Sequence, residues 1–106
     1  MIKMVFLIHR RADLDPATFR MHWRESHAEI AGKMPGLRKY VQNHSMPAAD
    51  GIAPLYDGFA EMWFDDAESL ERALATVEGQ ATIADTRNFI DLDRMLTFRV
   101  DEVEVV

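Results

Sequence analysis

The chain has 106 residues, enough for one domain (residues 1–106) and too few for two. Its 48% hydrophobic and 28% charged content is that of a globular protein, not of a disordered chain, a collagen-like fibre or a coiled coil, and its lack of cysteine excludes disulfide frameworks, cysteine-ligated zinc, iron–sulfur clusters and thiolate nucleophiles. A net charge of −6, with no apolar run near the ~20 residues of a membrane span, argues against nucleic acid and membrane partners and makes a soluble, cytoplasmic protein the expectation.

Lys3–Arg10 reads as a strand that is apolar on both faces, with Met4, Phe6 and Ile8 on one and Val5 and Leu7 on the other, so it needs a cover on each side. After the connection Arg11–Leu14, Asp15-Pro16 supplies an N-cap followed by proline at the first helical position, and the spacing predicts a helix running toward Lys33. At about 100° per residue, Phe19, Trp23, Ser26, Ile30 and Met34 share one narrow buried stripe, with His22 and His27 on its two margins. Pro35-Gly36 stops the helix. Leu37–Ser45 then alternates as a second strand, with Leu37, Val41 and Asn43 on one face and Tyr40, Gln42 and His44 on the other.

Met46–Leu55 has the composition of a loop, suited to covering or gating a pocket. Tyr56–Phe64 reads as a third strand. Asp65, with Glu68 three residues later, makes a capping-box-like start to a helix whose apolar face is Ala67, Leu70, Leu74 and Val77. Glu78-Gly79 interrupts it, a further turn or two carries Ile83 and Ala84 and extends to Phe89-Ile90, and Met95–Val106 alternates as a last strand.

The order β-α-β, loop, β-α-β predicts an α+β ferredoxin-like fold: an antiparallel four-stranded sheet with its helices on one face. Helices cover one side only, and the other side would expose an apolar patch above the roughly few hundred Å² that monomers tolerate. The expectation is therefore a homodimer whose two sheets pack face to face.

Residues 1–44 carry eight Lys/Arg against four Asp/Glu, whereas residues 45–106 carry four against fourteen. All four histidines (His9, His22, His27, His44) lie in the basic first part, so proton chemistry near neutral pH must be built there, with carboxylates supplied by the second part. The same asymmetry also serves simply to dock the two halves. His22 and His27 are five apart, not the four that sets two ligands on one face of an α-helix, and no glycine-rich phosphate loop is present. Neither a metal nor a nucleotide cofactor is expected; haem stays open because one axial histidine suffices for it.

Phe19, Trp23 and His27, then Pro35-Gly36-Leu37, Tyr40-x-Gln42-x-His44, Tyr56-Asp57-Gly58, Glu61-x-Trp63-Phe64, Glu78-Gly79-Gln80 and Asp85 with Asn88-Phe89 follow one another in an order that resembles the EthD family of the dimeric α+β barrel superfamily. The likeness covers nearly the whole chain. It implies a ferredoxin-like protomer that pairs through its sheet, with a pocket between sheet and helices. EthD itself is named for fuel-ether degradation alongside a cytochrome P450 system, and the wider superfamily includes cofactor-free lactone isomerases, polyketide cyclases, quinone-forming monooxygenases and haem-degrading enzymes.

His27 and His44 match the family's most recognisable polar positions. Two imidazoles on one apolar pocket suit isomerisation, cyclisation or enolate chemistry on a small hydrophobic cyclic or aromatic substrate without a cofactor. In this reading His27 is the general base or acid, His44 its partner or an oxyanion donor, Tyr40 and Gln42 supply oriented polar contacts, and Trp23 and Phe89 are core or pocket wall. Asp85 matches an acidic family position, where it either orients a histidine or, on a helix, is a surface residue. Two alternatives remain: a non-catalytic accessory protein that holds a hydrophobic intermediate for a partner oxygenase, and a haem-handling protein.

Overall fold

In a computed structural model describing residues 1–106, strands β1 (Ile2–Ile8), β2 (Lys39–His44), β3 (Gly58–Phe64) and β4 (Leu96–Val100) form one antiparallel sheet in the order β2-β3-β1-β4. Helices α1 (Pro16–Met21), α2 (Ala28–Ala31), α3 (Ala67–Ala75) and α4 (Val77–Thr86) accompany it, with a π-helical segment (His22–His27) joining α1 to α2. This is the expected ferredoxin-like fold. No helix is long and apolar enough to cross a membrane.

The first helix starts as its sequence dictates: Asp15 accepts a hydrogen bond from Thr18 N at 2.7 Å, and Pro16 occupies the first turn. Its buried face is not the stripe expected from α-helical stepping. Phe19, Trp23, His27, Ala31 and Met34 are buried, whereas Ser26 is exposed and Ile30 only half-buried. The wider π turns, with i→i+5 hydrogen bonding, rotate the phase so that steps of four keep returning to the sheet.

Three further boundaries differ from expectation. Asp66, not Asp65, caps α3 by accepting from Ser69 N at 2.7 Å, because the Asp65 carboxylate is engaged by the Arg38 guanidinium at 2.8 and 3.0 Å. The break between the last two helices falls at Thr76 rather than at Glu78-Gly79. Thr76 takes an extended backbone, its hydroxyl donates to Ala73 O and accepts from Gly79 N, and α4 runs straight through Gly79. The new phase leaves Val77, Ile83 and Ala84 exposed and buries Thr82 and Asp85 instead. Finally, β4 ends at Val100, and residues 101–106 have no regular structure.

The ladder sorts side chains by parity. Met4, Phe6 and Ile8 pair with Met62, Ala60 and Gly58 on the helix side, while Val5 and Leu7 share the outer face with Phe59, Leu96 and Phe98. Those last three are 40–47% exposed, so the outer face has an apolar part with no helix over it, beside a polar part that carries Lys3, Lys39, Asn43 and Glu61. Tyr40, Gln42 and His44 lie on the helix side. Leu37 precedes the strand and also packs inward against the core, against the expectation that it shares a face with Val41 and Asn43.

Gly58 sets the spacing between sheet and helix. A Cβ there would run into Asn43 O and lie 2.7 Å from the Trp23 ring, so only glycine lets the indole rest on the start of β3. Gly58→Ala is expected to cost about 1–3 kcal/mol. Urea unfolding of the variant checks this; an unchanged midpoint would mean that the Trp23 contact is dispensable.

Candidate active site

Between the sheet and the helices lies a cavity of about 280 Å³ lined by 19 residues, 15 of them hydrophobic. The sheet contributes Met4, Phe6, Met62, Phe64 and Tyr40, and the helical layer contributes Trp23, His27, Leu70, Thr82, Thr86 and Phe89. Such a volume sits near the lower end of the roughly 300–1,000 Å³ of small-molecule pockets. In walls this apolar, each polar atom has a large effect on a ligand.

His27 is the buried ionisable group in those walls, 5% exposed. Its Nδ1–H donates to Asp85 Oδ2 at 2.8 Å, while Nε2 bonds to no protein group and opens on the cavity. Asp85 comes from α4 and accepts two further donors: Asn88 Nδ2 at 2.9 Å on Oδ1, and His22 Nε2 at 3.1 and 3.0 Å on its two oxygens. Burial opposes ionisation of Asp85, but the hydrogen bonds from Asn88, His27 and His22 outweigh it and hold the carboxyl below its ordinary value of 3.8. For His27, burial is the largest influence and lowers the imidazole below its ordinary value of 6.5, against the hydrogen bond and charge of Asp85. The outcome is a neutral ring whose proton is fixed on Nδ1 by a carboxylate and whose Nε2 lone pair faces the cavity.

The π segment makes this cluster. Five residues along an α-helix diverge in direction, yet His22 and His27 converge on one carboxylate because i→i+5 geometry stacks them. The expectation that they border opposite margins of a stripe assumed α-helical stepping. The signal in the sequence was the fivefold spacing itself, read with the wrong period. Phe89, fully buried, packs against both imidazoles at centroid distances of 4.9 and 4.8 Å.

Tyr40, Gln42 and His44 form a second polar chain. His44 Nε2–H donates to Gln42 Oε1 at 2.9 Å, and Gln42 Nε2 donates to Tyr40 Oη at 2.9 Å and to Trp23 O at 2.7 Å. Burial pushes the Tyr40 phenol up, against hydrogen bonds from Gln42 and Trp23, so it stays a neutral O–H donor. Burial and the nearby Arg20 and Arg24 push His44 down. Of the six residues singled out from the sequence, His27, Tyr40, Trp23 and Phe89 line the cavity together. Gln42 and His44 do not: His44 stacks on Trp23 at 4.3 Å, and both reach the cavity only through Tyr40 and the indole.

The EthD domain family matches residues 11–93 of this chain. An EthD-family protein of Bacillus halodurans, known by crystal structure, superposes with a TM-score of 0.83 at 28% identity over 97% of this chain and 99% of its own. An uncharacterized 11.0 kDa protein from the thcB-thcC intergenic region of Rhodococcus erythropolis is 28% identical over 71% of this chain and 72% of its own length. At the level of fold alone, SnoaB, a cofactor-independent oxygenase from Streptomyces nogalater, superposes with a TM-score of 0.71 at 14% identity over 99% of this chain and 95% of its own.

The lowered histidines give stability a definite pH dependence. Below about 6.5 the unfolded chain binds protons on His27 and His44 that the folded chain refuses, so stability falls as pH falls, and Asp85 adds to the loss below its ordinary 3.8. Urea unfolding should give a lower ΔG at pH 5 than at pH 7.5, and His27→Gln should flatten that difference. An equal slope in the variant would mean that His27 is not held neutral.

Proposed function

The chain belongs to the EthD family, and from that premise we propose that it is a small-molecule enzyme that performs proton-transfer chemistry on a small hydrophobic cyclic or aromatic substrate without a cofactor. One observation carries this reading: a carboxylate-backed imidazole, His27, and a phenol, Tyr40, line the same, otherwise apolar cavity. In such surroundings the substrate's binding comes from the walls and its reaction from two atoms.

His27 Nε2 removes a proton from an acidified C–H or O–H of the substrate, and Asp85 stabilises the imidazolium that forms. Tyr40 donates its O–H to the oxygen on which negative charge develops, as an oxyanion donor does. Gln42 and His44 act behind it, by occupying the phenol oxygen's acceptor side so that its own proton points onward. Trp23 and Phe89 hold the ring of the substrate and the imidazole of His27. The enolate formed is reprotonated at another atom by the His27 imidazolium, giving isomerisation; or attacks a carbonyl carbon of the same molecule, forming a C–C bond while the carbonyl oxygen takes the imidazolium's proton, giving cyclisation; or passes its electrons to dioxygen, forming a C–O bond to a peroxide that takes that proton, the outcome that likeness to a cofactor-independent oxygenase favours. A second reading, a carrier that binds a hydrophobic intermediate for an oxygenase, is favoured by the largely apolar lining. A haem reading draws no support from a cavity sized for one or two rings.

His27→Gln should lower turnover by about 10²–10⁴ while leaving ligand affinity within a few fold, and Tyr40→Phe by about 10²-fold. Retained turnover in His27→Gln would remove the base; tight binding with no conversion in the unaltered protein would establish the carrier.

The uncovered outer face, with Val5, Leu7, Phe59, Leu96 and Phe98, supports a homodimer packed sheet to sheet. Sedimentation equilibrium should give twice the 12.2 kDa chain mass, and Phe98→Asp should shift it toward the single-chain value. A single-chain mass for the unaltered protein at micromolar concentration would overturn the dimer.

A further inference from the structure

Asp85 serves more than the histidine that faces the cavity. A carboxylate has about four acceptor positions, two on each oxygen. Here three protein donors share them: His27 on Oδ2, Asn88 on Oδ1, and His22 forked across both oxygens. The carboxylate is nearly buried, so the charge that His22 draws on is charge that His27 shares.

The two rings differ in where they end. The His27 side chain is 6% exposed and opens on the cavity, whereas that of His22 is 28% exposed at the protein surface. The stretch of helix that departs from α geometry begins at His22 and ends at His27. That departure has a cost in hydrogen-bond geometry, and its visible result is to bring both rings to one carboxylate. The charged side chain in hydrogen-bond contact with both rings is Asp85; the Phe89 ring packs against both, and the Asn88 amide bonds Asp85.

We propose that His22 is a positioning residue for His27: by sharing Asp85 from the solvent side, it sets how much of that carboxylate's charge His27 feels and so how readily the cavity-facing nitrogen takes up a proton. His22 itself touches no substrate. This rests on the reading of His27 as the proton-accepting group. A base that must let go of its proton needs a carboxylate behind it that is shared rather than undivided. His22 supplies the sharing, and Asn88 fixes the orientation of the oxygens. The influence of His22 on His27 runs in the same direction as burial, against that of Asp85.

The test needs no substrate. The full chain, labelled with ¹⁵N-histidine, is titrated by NMR, and the His27 midpoint is compared among the unaltered protein, His22→Phe and His22→Gln. His22→Phe keeps a ring beside Phe89 but donates nothing, so Asp85 is left to His27 and Asn88, and the His27 midpoint should rise by about 0.5–1 pH unit, a roughly three- to tenfold gain in proton affinity. His22→Gln still donates to Asp85 and should bring the midpoint most of the way back. A purely structural role would not produce that rescue. An unmoved or lowered midpoint in His22→Phe, or a His22→Gln midpoint equal to that of His22→Phe, would overturn the proposal. If His22→Phe does not fold, His22→Leu carries the same comparison. Failure here would leave His27 standing as the base, and full turnover in His27→Gln would remove the base without touching the coupling.

Discussion

The Asp85 carboxylate is the point on which the helical layer turns. It is 8% exposed and charged, a state that is costly unless donors surround it, and three side chains from two elements do so. These donors tie α4 to the π segment. They hold Phe89 against both imidazoles and fix which face of the first helix meets the sheet. An apolar contact at this place would pack as well, but it would not select π over α geometry. The hydrogen bonds do, because they are made only when residues five apart point the same way.

How far the sequence discloses this arrangement depends on the period used to read it. The strands are legible because period two has no rival: alternation places Tyr40, Gln42 and His44 on one face, and they do share it. The Asp15-Pro16 helix start is legible because capping is local. The phase of the first helix is not, because a change from α to π turns is decided by contacts with α4, more than fifty residues later. Asp66 displaces Asp65 as a cap for the same kind of reason: Arg38, distant in sequence, takes Asp65 away. The candidate site follows this rule. The motif names His27, Tyr40, Trp23 and Phe89, which line the cavity, and Gln42 and His44, which do not, while His22 is passed over because its partner is set by tertiary structure.

The division of charge along the chain acquires a physical meaning at the same place. All the imidazoles come from the first 44 residues, and the carboxylate that meets two of them comes from the second, acidic part. Docking the halves and building the site are here one interaction. Expectations of docking and of chemistry therefore need not compete. The cationic part of the chain is otherwise partly neutralised at the surface, by pairs such as Arg38–Asp65 and Arg11–Asp13, which are solvent-exposed and contribute little to stability.

Burial and the carboxylate pull His27 in opposite directions, and the proton transfer proposed above depends on their balance. Burial alone would make the imidazole too poor a base to take a proton from a weakly acidic substrate. An undivided Asp85 would make it hold that proton too firmly to return it. The phenol of Tyr40 faces a similar compromise, kept protonated by burial while Gln42 orients it. Neither group needs an unusual side chain. Both are ordinary residues whose proton affinities are set by what the fold places behind them, with His22 behind Asp85 on one wall and His44 behind Gln42 on the other. On this view the residues that tune the site lie one hydrogen bond outside the cavity, where a search of its lining alone would miss them.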